Sequence, residues 1–397
     1  MKYILSIDQG TTSSRAILFD ENLVAAFSEQ KEFGQIFPRS GWVEHNPDEI
    51  WNSVVQVCKA VINKANINPT QIVSIGITNQ RETTLVWDKK SGKPIYNAIV
   101  WQDRRTADIC AKLRKENHEK MIVEKTGLLV DPYFSATKIR WLIEKFKGSR
   151  SAFDNGEFIF GTVDTYLIWK FTDGRVHATD ATNASRTMLY DIEKDSWSVE
   201  ICDLMNVPIS MLPKVLNSAD DYGMTDVSIF GVQIPITGVA GDQHAATIGQ
   251  ACFKPGMVKS TYGTGCFAMV NAGKRRPKST NKLLSTIAYK LDGEITYALE
   301  GSIFVAGAVV QWLRDGVHLI QDAKETDQIA SEADLGHRLY FVPAFTGLGA
   351  PYWDPDARGA IFGLTRNSGR SEICRAALQS IGFQTRDLID AIKNDVP

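Results

Sequence analysis

Cysteine is sparse and scattered. Cys58, Cys110, Cys202, Cys252, Cys266 and Cys374 form no C-x-x-C pair, so neither a zinc site nor a disulfide framework is legible, and free thiols in a reducing cytosol are expected. No block of lysine or arginine runs beyond a few residues and the net charge is −2. That balance argues against a nucleic-acid or anionic-membrane partner. No apolar stretch approaches the length of a membrane span. The opening MKYILSIDQG breaks at Asp8, too early for a signal peptide. The six histidines show no ligand spacing, and none is assigned to a metal. A disorder signature is also missing, with 44% hydrophobic and 23% charged residues. What remains is a cytoplasmic globular chain of 397 residues, enough for two domains.

The hydrophobic pattern supplies their organisation. Residues 2–7, 15–19 and 23–33 read as strands in hairpin succession, the first turn being Gly10-Thr11-Thr12. Asn46, Pro47 and Glu49 then mark a helix start with a capping box. Ile50, Trp51, Val54, Val55, Cys58, Val61 and Ile62 give that helix one apolar face. Strands are predicted at residues 72–78, 83–87, 95–101, 158–161 and 234–239, with helices at 106–117, 135–146 and 163–171. After Gly256 the opening pattern returns: strand 257–262, a Gly263-Thr264-Gly265 turn, strand 266–270, strands 284–289 and 295–299, and a long helix over 302–320. This repetition predicts an internal duplication of two α/β domains, residues 1–241 and 242–397.

Four segments have the residue types that phosphoryl transfer needs. Asp8-Gln9-Gly10-Thr11-Thr12-Ser13-Ser14-Arg15 places an acid at a strand end before a turn whose amides and hydroxyls can donate to phosphate. The Asp8 carboxylate suits Mg²⁺. An ordinary β-turn prefers the same residues. Tyr262-Gly263-Thr264-Gly265-Cys266 is weak alone, but two such hairpins in a duplicated chain suit gripping a triphosphate from both sides of a cleft. In Gly238-Val239-Ala240-Gly241-Asp242-Gln243-His244, an acid ends a strand before a helix. Asp242 there fits the base that takes a hydroxyl proton, or simply a cap on a helix starting at Gln243. Asn79-Gln80-Arg81-Glu82 lies between strands; the pair is either a solvated ion pair or a polyol site in which Glu82 accepts and Arg81 donates. Trp101, Tyr133 and Phe267 are aromatic residues of the kind most often found in cores.

The runs IDQGTTSSRAILFD, WVEHNPDEIW, ITNQRETTLVWD, IVWQDRR, DPYFSATKIRWL, GVAGDQHAA, TYGTGCF, LEGSIFVAGAVVQWLRD and FTGLGAPYWDPDARGAIFGLTR cover nearly all the chain in order. Together they resemble the glycerol kinases of the FGGY carbohydrate-kinase family. The resemblance implies an α/β fold of two duplicated ribonuclease H-like (actin-like ATPase) domains flanking a cleft, the first binding glycerol and the second ATP. It also implies roles for matching residues. Arg81, Glu82, Tyr133, Asp242 and Gln243 would bind glycerol hydroxyls, with Trp101 and Phe267 beside the carbon chain. Thr11, Thr12, Ser13, Arg15, Gly263 and Thr264 would contact ATP phosphates, and Gly307 and Gln311 would line the nucleotide cleft. Asp8 and Asp242 would sit near Mg²⁺, with Asp242 as base and sn-glycerol 3-phosphate as product. A homo-oligomer is left open.

Three features depart from the family pattern. The family continues past a helix like residues 371–393 into a glycine-rich segment with an asparagine for the adenosine. This chain ends at Asp395-Val396-Pro397, which predicts an incomplete second domain. Residues 227–233 have no glycine-arginine loop for fructose 1,6-bisphosphate. No histidine stands at Ser228 or Ile229, where some members are phosphorylated. Two other readings therefore stand beside glycerol phosphorylation: a sister kinase for another polyol or sugar, and a non-catalytic fragment that binds glycerol alone.

Overall fold

The computed structural model describes residues 1–354 and 356–395; Val396 and Pro397, the expected end of the second domain, lie outside them. The chain divides into two compact units, Met1–Ala246 with Thr286–Thr296, and Thr247–Ser285 with Tyr297–Pro397. The sequence had suggested a boundary at Gly241.

In the first unit, β1 (Tyr3–Gln9), β2 (Ser13–Phe19) and β3 (Ala25–Glu32) form an antiparallel meander. Along β1, Tyr3, Leu5 and Ile7 alternate into the core, each complete aliphatic burial contributing about 1.5–3 kcal/mol. Helix α1 (Pro47–Ala65) follows, with Pro47 in its first turn and Asn46 as cap. The Asn46 side chain accepts from Asp48 N at 2.9 Å, so the expected capping box through Glu49 is replaced by a bond one residue earlier. Its core face is Ile50, Val54, Val57, Cys58, Val61 and Ile62; Val57 takes the buried place expected for Val55.

Two further strands, β4 (Ile72–Asn79) and β5 (Ile236–Gly241), add in parallel on the far side of β1. The sheet order is β5-β4-β1-β2-β3, the arrangement expected of a ribonuclease H-like domain. Between them, helix α2 (Val163–Phe171) packs into the same core through Val163, Tyr166, Leu167 and Phe171. Right-handed crossovers between parallel strands require such intervening segments. The strand predicted at 95–101 shrinks to Ala98–Ile99. Asp103 explains the interruption: its carboxylate accepts from Val43 N and Arg105 N and pairs with Arg105 at 2.7 Å, which folds residues 101–105 into a turn instead.

Helix α3 (Asp242–Gly249) leaves β5 directly. Beyond it lie β6 (Val258–Tyr262), β7 (Cys266–Gly273), β8 (Leu284–Leu291) and β9 (Glu294–Ile303), in sheet order β6-β7-β9-β8. Thus β6 and β7 repeat the β1–β2 hairpin, and β9 takes the place beside β7 that β3 takes beside β2.

The long helix predicted at 302–320 is not formed. Strand β9 runs on through Ile303, where Ser302 pairs with Phe267. Only the five-residue α4 (Gly307–Gln311) and a π-turn at Trp312–Gly316 follow. Gly301 belongs to the strand, opposite Ala268, and helix α5 (Arg370–Asp395) packs Leu388 against it. A Cβ at Gly301 would lie 2.0 Å from Leu388 Cδ1.

Candidate active site

Parallel pairing brings three strand ends together. Gln9 of β1 and Gly241 of β5 both lie opposite Asn79 of β4. Ligand sites in α/β sheets gather at the carboxyl ends of parallel strands. Here those ends lead into the Gly10 turn, the Gln80-Arg81-Glu82 segment and Asp242. Gln80 ties two of them: its backbone N–H donates to Gln9 O at 2.7 Å and its side chain to Gly10 O at 3.1 Å.

Arg81 and Glu82 are buried, not a solvated pair. Their side chains are 2% and 1% exposed, and Arg81 Nε lies 3.1 Å from Asp242 Oδ1 and 3.9 Å from Glu82 Oε1. Arg81 also donates to the Tyr133 hydroxyl at 3.5 Å. Glycine at 241 permits this approach, since a Cβ there would come within 2.7 Å of Arg81 Cγ and Cδ. Glu82 adopts φ +58°, a left-handed conformation that non-glycine residues keep only where their surroundings impose it. Ser135 and Thr84 hydroxyls impose it by donating to Glu82 O at 2.9 and 3.1 Å.

Trp101 stands edge-on to Tyr133 with centroids 5.6 Å apart, and its indole N–H donates to Thr11 Oγ1 at 2.9 Å. One half-buried ring therefore links the two chemistries of this unit, the charged cluster and the glycine turn. Asp242 keeps a 37% exposed side chain. It occupies the first turn of α3, and its carboxylate accepts from Gln243 N at 2.6 Å. The helix thus starts at Asp242, one residue earlier than expected, with Gln243 half-buried beside it.

The first glycine turn closes through Gly10 N to Ser13 O at 2.9 Å, and Phe33 N donates to Thr12 O. Thr12 and Arg15 are exposed. Gln30 steadies the turn, accepting from Arg15 and donating to Ser13 Oγ at 2.9 Å. Burial pushes the Asp8 carboxyl above its usual range, the Asp242 charge pushes it further, and Arg15 opposes both. Among the described residues, no group of three or more His, Cys, Asp or Glu side chains is arranged to hold a metal ion.

In the second unit, Gly263 and Thr264 meet the start of α4. Gly307 N donates to Gly263 O at 2.8 Å, while Ala306 N and Ala308 N donate to Thr264 O at 2.8 and 3.1 Å. A Cβ on Gly307 would fall 2.6 Å from Gly263 O. Gly307→Ala is therefore expected to cost roughly 1–3 kcal/mol of stability through this overpacking. Thermal unfolding checks it. Gln311 is exposed, and Phe267 is half-buried on β7.

Several residues of the charged cluster's wall escaped the sequence analysis. Arg186 is fully buried and bonds Glu82 Oε1 at 2.7 Å. Lys138, also buried, donates to the carbonyls of Pro132, Tyr133 and Phe134, fixing the turn that carries Tyr133. Burial pushes its ammonium down to about 8. The Asn79 and Asn183 side chains exchange hydrogen bonds at 3.0 and 3.1 Å. Lys138 lies on the helix face shared with Ser135, Ile139 and Leu142, which was the available signal for its burial; nothing local marked Arg186.

The model of the N-terminal domain of the FGGY family of carbohydrate kinases matches residues 3–249, and that of the C-terminal domain matches 258–397. The second domain, which the sequence had suggested to be incomplete, is thus present over residues 258–397. A glycerol kinase from Roseobacter denitrificans is 61% identical over 395 residues, covering 100% of this chain and 80% of its own length. One from Rhizobium meliloti is 62% identical over 393 residues, covering 99% and 79%. The crystal structure of Plasmodium falciparum glycerol kinase with ADP superposes with a TM-score of 0.91 at 40% identity, covering 100% of this chain and 79% of that one. With both domain models matched across almost its whole length, the chain belongs to the FGGY family of carbohydrate kinases.

Proposed function

We propose that this chain phosphorylates glycerol with ATP to give sn-glycerol 3-phosphate. The observation that carries the reading is the cluster of Arg81, Glu82, Tyr133 and Asp242 at the shared ends of β4 and β5, one tryptophan ring away from the Gly10 turn. A small neutral polyol offers only hydroxyls, and charged partners give each hydrogen bond roughly 1.5–3 kcal/mol. Glu82 and Asp242 accept from the hydroxyls, Arg81, Tyr133 and Gln243 donate, and Trp101 covers the carbon chain. Phe267 is assigned to the other side of that chain by family resemblance alone.

Asp242 is the base. Its partial exposure leaves it reachable, and Arg81 at 3.1 Å orients it. As the acceptor oxygen attacks the γ-phosphorus, its proton passes to Asp242, and the oxygen leaving with ADP takes the bond electrons. Thr11, Thr12, Ser13 and Arg15 donate to the phosphates, as do Gly263 and Thr264, while Gly307 and Gln311 border the nucleotide. Asp8 and Asp242, whose charges are near enough for one to raise the carboxyl of the other, would be the residues that hold a magnesium ion, which takes few protein ligands. Bound there, Mg²⁺ would neutralise phosphate charge. In this reading residues 1–241 bind glycerol and part of the phosphate chain, and residues 242–397 bind ATP. Six buried free cysteines favour a reducing cytoplasm.

A panel of acceptors tests the substrate class. With ATP, glycerol is expected to exceed erythritol and xylulose in kcat/KM by at least roughly tenfold, the worth of one well-placed hydrogen bond. Preference for a longer polyol would move the chain to a sister kinase.

A further inference from the structure

We infer that Arg186 is a positioning residue of the polyol site, setting the place of the Glu82 carboxylate. The inference rests on the glycerol-kinase reading above and deepens it.

Arg186 reaches Glu82 because of a short helix that no local signal announces. Ala181–Ala184 forms a single turn, capped by Asp180, whose carboxylate accepts from Thr182 N and Asn183 N, each at 2.9 Å. Arg186 N then donates to Asn183 O at 3.0 Å, turning the chain back. Two side-chain bonds fasten this turn to the strand ends. Asn183 pairs reciprocally with Asn79, the last residue of β4. Thr182 Oγ1 accepts from Gly241 N at 2.9 Å, at the last residue of β5. The element that supplies Arg186 is therefore locked to the two strands that lead into Arg81-Glu82 and Asp242.

The Arg186 side chain has 0% exposure and Glu82 1%, with Nε to Oε1 at 2.7 Å. Its guanidinium carbon lies 5.7 Å from the Tyr133 ring centroid and 5.3 Å from that of Phe134. A planar cation lodged against two rings has few rotamers open to it. Arg81 lies 3.9 Å from Glu82 and closer to Asp242, at 3.1 Å. Arg81 thus lies nearer Asp242 than Glu82, and Arg186 bonds Glu82 directly. Without Arg186, Glu82 loses the 2.7 Å bond that fixes its carboxylate where a glycerol hydroxyl can donate to it.

The test compares the wild-type chain with Arg186→Met and Arg186→Lys, alone and in a Glu82→Gln background. It measures glycerol KM, ATP KM, kcat and calorimetric glycerol affinity. Arg186→Met is expected to raise glycerol KM and Kd roughly ten- to a hundredfold and to leave ATP KM within about twofold. Arg186→Lys keeps the charge without the fork and is expected to restore part of the loss. In the Glu82→Gln background, Arg186→Met should add less than about threefold, because the partner it serves is already gone. An unchanged glycerol KM in Arg186→Met overturns the proposal. So does a parallel loss in glycerol and ATP parameters, or an undiminished effect in the Glu82→Gln background; each is what a merely structural arginine would give. Should Arg186→Met not fold, Arg186→Lys decides: a glycerol KM raised with ATP KM fixed supports the role, and a wild-type KM overturns it. A wild-type chain without glycerol turnover would instead overturn the functional reading, and that is seen before any variant is compared.

Discussion

Asp242→Asn is expected to lower kcat by about 10²–10⁴, the usual worth of a positioned general base, with the fold unchanged. The substitution is nearly isosteric. Asparagine Oδ1 can still accept from Gln243 N, as Asp242 does at 2.6 Å, so the start of α3 keeps its bond. What goes is the charge that takes the proton and the anionic partner of Arg81 at 3.1 Å. Circular dichroism and thermal unfolding check the fold, and steady-state kinetics check the turnover. Glycerol affinity should fall much less than kcat, because other groups of the cluster remain to meet the hydroxyls. Full activity in this variant would remove Asp242 as base.

Arg81→Ala is expected to act on binding first. Truncation leaves Asp242 without its 3.1 Å partner and removes one cation near the buried Glu82. Breaking a buried pair by deleting one member typically costs about 3–5 kcal/mol; part of that appears as lost stability. Glycerol KM should rise by roughly a hundredfold, since about 1.4 kcal/mol corresponds to tenfold. ATP KM should move little, and kcat should also drop because Asp242 loses its orientation. An unchanged glycerol KM would end the assignment of Arg81 to the substrate. Arg81→Lys should recover only part of the loss, as an ammonium cannot reproduce a fork that reaches Asp242 and Tyr133 together.

Much of this site was legible in the sequence because its residues lie where simple patterns end. The alternating run of β1 stops near Asp8, and the buried run of β4 stops at Asn79 just before Arg81. Strand β5 stops at Gly241, and Asp242 follows it. Alternation and apolar runs are local signals, so those positions could be read. Burial of Arg81 and Glu82 could not, because it comes from Tyr133, Ser135 and Arg186, which are distant in sequence.

The misread elements have physical causes as well. The helix expected over 302–320 does not form because Gly301 and Ser302 are held in the ladder with β7, and the amides of Ala306, Gly307 and Ala308 are taken by the Gly263–Thr264 turn. Tertiary pairing there overrides helical propensity. The strand expected at 95–101 was cut by Asp103, a buried acid that organises a turn around Arg105. Arg186 was missed for a third reason. Its role depends on a four-residue helix and on side-chain bonds to two strand ends, and no periodicity encodes those.

The central claim is ATP-dependent phosphorylation of glycerol by this chain. The most direct measurement is a coupled ATP–glycerol turnover assay on the 397-residue chain, with calorimetric glycerol binding alongside. The account predicts saturable, glycerol-dependent ADP release with sn-glycerol 3-phosphate as product. Absence of turnover in a folded chain that also fails to bind glycerol would contradict it.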